Sequence, residues 1–580
     1  MTGSTVARAE LAQLEERPSA EVLIVGGGIN GIATFRELAL QGVDVALVER
    51  GDFAGGASAA SSHMIHGGVR YLENGEFRLV KEAVTERNAL VRTAPHYVRP
   101  LRTTIPVFST FSGILAAPLR FLRHGSGKPR ERGALLIKAG LLMYDSFSRG
   151  SRAAGGGRVP RHAFHGRRRS LELLPALNPD VKYTATYWDG SLVNPERLAL
   201  DVLADGLRDG GGRARAANYV EAAGLRDGAV ILRDVETGKE IPFTASVVVN
   251  ASGPWTDVTN AELGTATRYM GGTKGSHIVL DHPELLAATR GREMFFEHRD
   301  GRIVLIYPLK GRVLVGTSDL EHDMSEPAVC TEAEVDYFLD LIGHVFPRIA
   351  VSRDQIVYRF SGVRPLPGHG DLAPGFVSRD YRVEETAFPG AGATRVLSLV
   401  GGKWTTFRAL GEKLADDVLA ILGRPRTATT RERAIGGGAG FPRTERGRQQ
   451  WVAEHRGSLD AGRAAVLLER YGTHATRVIA AIEADPSDAP LAAAPAYSTA
   501  EVRDLAATEH VAHLEDLLLR RTDLAFTGGA TPDAAAELAA AVADVLGWDA
   551  DRVAAEVARG NAAVRAAYPA DAPDPVAATA

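Results

Sequence analysis

A single cysteine, Cys330, stands in 580 residues. That excludes an intramolecular disulfide and any C-x-x-C dithiol or cysteine zinc cluster, and no metal site is predicted. Redox chemistry in this chain must therefore rest on a bound organic cofactor. No run approaches 18 uninterrupted apolar residues, so no membrane-spanning helix is predicted. An excess of one charge is also missing: 67 Lys and Arg against 71 Asp and Glu leave a net charge of −4, which gives no general attraction to nucleic acid. The run Arg167-Arg168-Arg169 has no interleaved aromatics and reads as a solvated face. The N-terminal stretch MTGSTVARAELAQLEERPSAE lacks an apolar h-region, and a cytoplasmic location is the expectation. No internal repeat of fixed period is present.

What the chain has in quantity is glycine, 62 residues, and their placement is informative. An apolar run, Val22 to Val25, enters Gly26, Gly28 and Gly31 in G-x-G-x-x-G spacing. A helical pattern follows, and a second short strand, Val45 to Val48, ends in Glu49, about 20 residues beyond the last glycine. The first two glycines permit a tight turn and close backbone approach to a pyrophosphate. Gly31 lets helix pack on strand, and the helix N-terminus offers N–H groups and a positive dipole end to phosphates. Glu49 can accept hydrogen bonds from a ribose diol.

This fingerprint alone does not separate NAD from FAD. A second β-branched run, Ala245 to Asn250, emerges into Ala251-Ser252-Gly253-Pro254-Trp255, where small residues again allow close backbone contact. A third strand, two glycines and a helix start follow one another in RVLSLVGGKWTTFRA, Arg395 to Ala409. Several separated contact segments point to FAD.

At this length two or more cores are expected. Phe77, Val80, Val84 and Val91 predict an amphipathic helix with one buried stripe. Residues 111–148 pair two apolar pieces with a basic loop containing Arg120, Arg123, Lys128, Arg130 and Arg132. Either a surface for anionic lipid or two packed helices with a solvated turn would look like this. Residues 151–170 read as a loop, and Asn194 as the cap of a helix opening at Pro195. From Tyr269 to Asp319 alternation predicts antiparallel strands. Beyond about residue 425, alanine, leucine and charged residues dominate in helical patterns.

Taken together, the segments GGGINGIATFRELALQGVDVALVERGDFAGG, IHGGVRYLENGEFRLVKEA, KGSHIV, GTSDLE, SGVRPL, SRDY, GGKWTTFR and HLEDLLLRR resemble the FAD-dependent, respiratory-type glycerol-3-phosphate dehydrogenases. The resemblance implies an α/β fold. A Rossmann-type FAD domain of the glutathione-reductase and DAO kind, split over 20–105, 165–265 and 355–425, would carry an inserted antiparallel-sheet substrate domain, 266–354. A C-terminal all-α domain, 426–568, and flexible tails at 1–19 and 569–580 complete the expected organisation. The implied reaction is oxidation of the C2 hydroxyl of sn-glycerol 3-phosphate to dihydroxyacetone phosphate, with electrons passed to a quinone or to oxygen. A peripheral position on the inner face of the plasma membrane and a homodimer are further expectations of the resemblance.

The residues similar in context to the family's substrate-facing groups are Arg70, Arg364, Arg379 and Lys403, with Tyr71 and Thr405 beside substrate oxygens. Guanidinium groups suit a phosphate dianion. Hydride loss from C2 also needs a base of near-neutral pKa. His277 is the preferred base, with His66 lining the flavin and Arg364 completing the catalytic set. Expected cofactor contacts are Gly26, Gly28, Gly31, Glu49, Ser58, Ser62, Val220, Ala251, Gly253, Gly401 and Gly402. One departure stands out: where T-S-S-R-S-S-K is expected before IHGG, the chain reads Ala57-Ser58-Ala59-Ala60-Ser61-Ser62-His63. Another polyol phosphate such as erythritol phosphate is thus a rival substrate. An amine or amino-acid oxidase and a non-catalytic flavoprotein sensor or scaffold are further rivals.

Overall fold

The computed structural model describes residues 8–68, 76–109, 134–148, 160–298, 302–368, 380–388 and 394–566. The apolar run becomes strand Ser19–Val25, flanked in parallel by Val45–Val48 and Glu240–Asn250, with Ala214–Ala217 and Arg395–Val400 extending the parallel set outward. Strands covered on both faces must be apolar throughout, which is why VLIV, VALV and VVV do not alternate. Helices Ile29–Leu40, Pro195–Gly210 and Phe407–Ile421 cover one face through Ile32, Phe35, Leu198, Leu203, Leu414 and Val418. On the other face Val230, Leu232 and Phe243 of the antiparallel strands Ala229–Asp234 and Glu240–Asn250 pack with Leu14. Leu14 belongs to helix Ala9–Glu16, so the stretch 1–19 predicted as a flexible tail is folded from Ala9 onward because this leucine has a core to enter.

Among the described residues the second sheet has ten strands, and it is built from more of the chain than predicted. Met270–Leu280 pairs with Arg312–Gly316 and with the long strand Ile356–Pro367; the order then continues through Ile303–Leu309, Glu293–Glu297, Val98–Val107 and Tyr183–Leu192. Thus 98–107, 183–192 and 356–367, assigned from sequence to the FAD domain, sit in the substrate-side sheet. The pairing of Glu293–Glu297 with Val98–Val107 is parallel, so this sheet is mixed rather than purely antiparallel. Helix Glu332–Val345 covers one face with Val335, Phe338, Leu341 and Ile342.

Several local expectations change. Phe77 is exposed, while Val80 and Val84 are buried as expected and Leu79 and Ala83 complete the buried stripe of helix Phe77–Thr93. Residues 163–166 form a short strand and 167–173 a helix, with Arg167–Arg169 exposed as expected. Asn194 makes no side-chain cap; Pro195, with its φ already set, starts that helix.

From Glu445 to Arg565 the described chain is helical around a core of its own, including Leu467, Val478, Leu505, Leu517 and Leu538. It docks on the first sheet's strand pair through buried His513, whose Nδ1 lies 2.9 Å from Glu556 and Nε2 3.2 Å from Glu236. Burial works against the charge, yet the two carboxylates hold His513 up at about 9. A raised histidine stabilises fully below its unfolded value and loses that contribution as pH rises through the folded one. The melting-temperature gap between wild type and His513→Gln should therefore shrink from pH 6.5 to 9; a gap constant across that window would disprove the charge assignment.

Candidate active site

Strand Ser19–Val25 delivers the chain to Gly26 at φ +113°, where a Cβ would stand 2.6 Å from the Ala251 carbonyl oxygen. A Cβ at Gly31 would stand 2.0 Å from the Gly26 carbonyl oxygen, so both positions are closed to any side chain. Gly28 caps helix Ile29–Leu40 in an extended conformation, and the helix's first N–H groups have no intrahelical acceptor. One of them, Ile29 N–H, donates to Ser58 Oγ at 3.0 Å. Glu49 accepts from Gly27 N–H at 2.7 Å and Gly51 N–H at 2.9 Å; burial pushes its carboxyl up while these N–H groups oppose the shift. Val220 N–H donates to the Glu49 carbonyl at 2.8 Å, and Ala251 N–H to that of Val25 at 2.8 Å. Gly253, at φ +63°, opens the turn that follows.

The serine loop ties this turn to the third glycine segment. Trp404 Nε1 donates to the Ser58 carbonyl at 3.0 Å, and Thr405 Oγ1 to the His66 carbonyl at 3.2 Å. Gly401 and Gly402 have φ of +96° and +112°, and a Cβ at Gly402 would stand 2.3 Å from Asn30 Nδ2. Below the loop, Asp189 Oδ1 accepts from Gly67 N–H at 2.9 Å, Tyr144 OH at 2.6 Å and the Arg87 guanidinium at 3.0 Å. Asn30 Oδ1 and Thr406 Oγ1 are buried with no hydrogen-bond partner among the described residues. Side-chain-free backbone, a helix N-terminus and unmet buried polar atoms together fit a long dinucleotide.

In the second sheet, His277 lies on strand Met270–Leu280, stacked on Phe360 at 4.8 Å and 13°. Its Nε2 is 2.9 Å from Ser62 Oγ, and its Nδ1 is buried without a partner among the described residues. Burial first, then Arg364 and His63, lower its pKa to about 3. The near-neutral base expected from sequence is corrected on this point, because two cationic or ionisable neighbours and a dry setting disfavour the imidazolium. Arg364, on the adjacent strand Ile356–Pro367, donates to Asp319 Oδ1 at 2.8 Å, Thr317 Oγ1 at 3.0 Å and the carbonyls of Ser318 and Lys274 at 2.8 and 3.2 Å. With four donor contacts inside the protein it is a fixed cation rather than an open fork.

Residues 21–416 match the family described as FAD dependent oxidoreductase, and residues 428–553 match the C-terminal domain of alpha-glycerophosphate oxidase. A curated glycerol-3-phosphate dehydrogenase of Synechocystis sp. is 34% identical over 70% of this chain and 70% of its own length. The chain belongs to the FAD-dependent glycerol-3-phosphate dehydrogenase family. A D-erythritol 1-phosphate dehydrogenase of Brucella abortus is 30% identical over 88% of this chain and 95% of its own. The crystal structure of a glycerol-3-phosphate dehydrogenase from Bacillus halodurans complexed with FAD shares the fold, with a TM-score of 0.72 and 21% identity over 96% of both chains.

As in other flavin-dependent dehydrogenases of this family, FAD is the cofactor. Of the residues expected from sequence to contact the cofactor, the structure brings together Gly26, Gly28, Gly31, Glu49, Ser58, Ala251 and Gly253, and links them through Trp404 and Thr405 to His66, Gly401 and Gly402. Ser62 meets His277, and burial raises the Glu82 carboxyl while Lys403 nearby opposes that shift. Arg70, Tyr71, Arg379 and the basic loop Arg120–Arg132 lie outside the described residues. His63, part of the departure from the family pattern, is buried beside Phe526 and Phe360 and held near 3 chiefly by burial, so it carries no charge into the site.

Sequence reasoning missed Glu334. Its carboxylate receives the Lys274 ammonium at 2.8 Å and the hydroxyls of Ser276 and Ser318, anchoring the strand that bears His277. The signal was present as a capping box, Thr331-x-x-Glu334. Asp319, which holds Arg364, was also missed although it lies within the GTSDLE segment.

Proposed function

We propose that the chain oxidises sn-glycerol 3-phosphate at C2 to dihydroxyacetone phosphate. The observation that carries the reading is the pairing of a buried, neutral His277 with the fixed cation of Arg364 on neighbouring strands. A buried orphan N–H is costlier than a buried lone pair, so Nε2–H donates to Ser62 Oγ and Nδ1 is left as the proton acceptor. The C2 hydroxyl gives its proton to that nitrogen. A phosphate dianion near Arg364 offsets the charge that depresses His277 and makes it a stronger base when substrate is present. Bound FAD supplies a two-electron hydride acceptor. Arg70, Arg379 and Lys403, with Tyr71 and Thr405, are assigned to the substrate phosphate and oxygens, and His66 to the flavin face.

A quinone is the proposed electron acceptor, reached at a membrane surface. No helix among the described residues is long and apolar enough to cross a membrane. Support for a peripheral contact comes from helix Ala134–Ser148, which exposes Leu135, Leu142 and Met143 directly after the basic run Arg120–Arg132.

The relative that acts on erythritol 1-phosphate keeps a longer polyol phosphate as the second reading. Anaerobic mixing with sn-glycerol 3-phosphate, erythritol phosphate and glycerol separates the two: bleaching of the oxidised flavin by the first alone is expected. Faster bleaching by erythritol phosphate would move the assignment to that substrate, and bleaching by none would end both. Reoxidation of the bleached flavin by a soluble quinone, faster than by air, is the expected result for the acceptor.

A further inference from the structure

Asp52 sits three residues beyond Glu49, in the loop that follows the second parallel strand. This loop is bound to the glycine turn from inside: Ala54 N–H donates to the Gly27 carbonyl at 2.9 Å, and a Cβ at Gly27 would stand 2.7 Å from the Phe53 ring. Its outer side is held by the C-terminal helical unit. The Asp52 carboxylate, fully buried, receives the guanidinium groups of both Arg520 and Arg521, the latter also at 2.8 Å through Oδ1, and the Asn218 amide at 3.1 Å. Both arginines lie in the π-helical turn Leu517–Arg521.

The clamp is anchored in turn. Arg520 also meets Asp516 at 2.8 Å, which accepts from Tyr219 OH at 2.6 Å, one residue before the Val220 that bonds Glu49. Arg521 donates to the Glu509 carbonyl at 2.8 Å, and the His510 ring stands edge-on to Phe53 at 5.5 Å. A carboxylate this deeply buried is tolerated only while its cations stay in place, so loop 50–54 and the π-turn must move together.

We propose that Arg520 and Arg521 are positioning residues for FAD: acting through Asp52, they fix the loop that presents Glu49 and Gly27 to the nucleotide half of the cofactor. The C-terminal helical unit thereby completes the cofactor site. The inference rests on the assignment of Glu49 and the glycine turn to FAD, and it extends that assignment to residues some 470 positions away in the chain.

The test is titration of deflavinated full-length protein with FAD, read by quenching of flavin fluorescence, for wild type, Glu49→Ala, Arg521→Met and Arg521→Lys. Weakening by about tenfold or more is expected for R521M, within the range of ordinary coupling between sites, with partial recovery in R521K. Wild-type affinity in both Arg521 variants alongside weakened binding in E49A would overturn the inference and leave the Glu49 assignment standing. Wild-type affinity in all three would overturn the assignment itself. Should R521M not fold, hydrogen exchange of the wild-type apoprotein decides: FAD should slow exchange of amides 514–526, and unchanged exchange there would overturn the inference.

Discussion

Asparagine in place of His277 should lower the rate of flavin reduction by substrate about 10²- to 10⁴-fold, the usual worth of a positioned base, while the protein remains yellow. Asparagine puts an amide where Nδ1 stands but has no basic nitrogen, and it gives up the Nε2 contact with Ser62 Oγ. Anaerobic stopped-flow reduction measures the chemical step directly. A loss of less than about tenfold, far below what general-base removal costs, would transfer the role to another group, with His66 next in line. The pH dependence follows from the same surroundings. In the free enzyme the His277 limb of kcat/KM should fall near pH 3 rather than at the ordinary imidazole value of 6.5. Below that limb the imidazolium cannot accept a proton; above it the base is already available.

Methionine at position 364 should cost about 10²- to 10³-fold in kcat/KM, comparable with removing one preorganised donor from a transition state. The guanidinium is locked by Asp319, Thr317 and two carbonyls, so it is already placed before substrate arrives. Its removal also leaves Asp319 negative beside the incoming phosphate, which adds repulsion. Lysine should recover only part of the loss, since one ammonium cannot span four acceptors. The effect should be much smaller for unphosphorylated glycerol; an equal loss for both would show that Arg364 acts on the fold and not on the charge of the substrate.

The glycine turn and the acid that ends the second strand were legible because their geometry is local. Gly26, Gly28, Gly31 and Glu49 fall within one strand–helix–strand unit, and their spacing follows from the geometry of that unit alone. The same holds for Gly401 and Gly402 at a strand end and for the apolar parallel strands. What stayed hidden depends on partners distant in sequence. The strands 98–107, 183–192 and 356–367 show no clean alternation of buried and exposed residues, and their place is decided by pairing with Met270–Leu280 and its neighbours. The pKa of His277 is set first by burial and then by Arg364, nearly ninety residues later, so a near-neutral base was a fair reading of the residue and a wrong one of its surroundings. Asp52, Asp189 and Glu334 look like ordinary surface acids in the sequence, and only burial against arginine, tyrosine or lysine reveals them as anchors.

The central position of strand Ser19–Val25 has a consequence for synthesis. Its neighbour Glu240–Asn250 emerges from the ribosome more than two hundred residues later, and the next strand outward, Arg395–Val400, later still. The nascent chain must therefore keep its N-terminal apolar strand waiting, with long loops to close before the first sheet is complete. Cofactor capture is correspondingly late: a ribosome stalled before Trp404 would carry the glycine turn but not the segment that bonds Ser58 and His66.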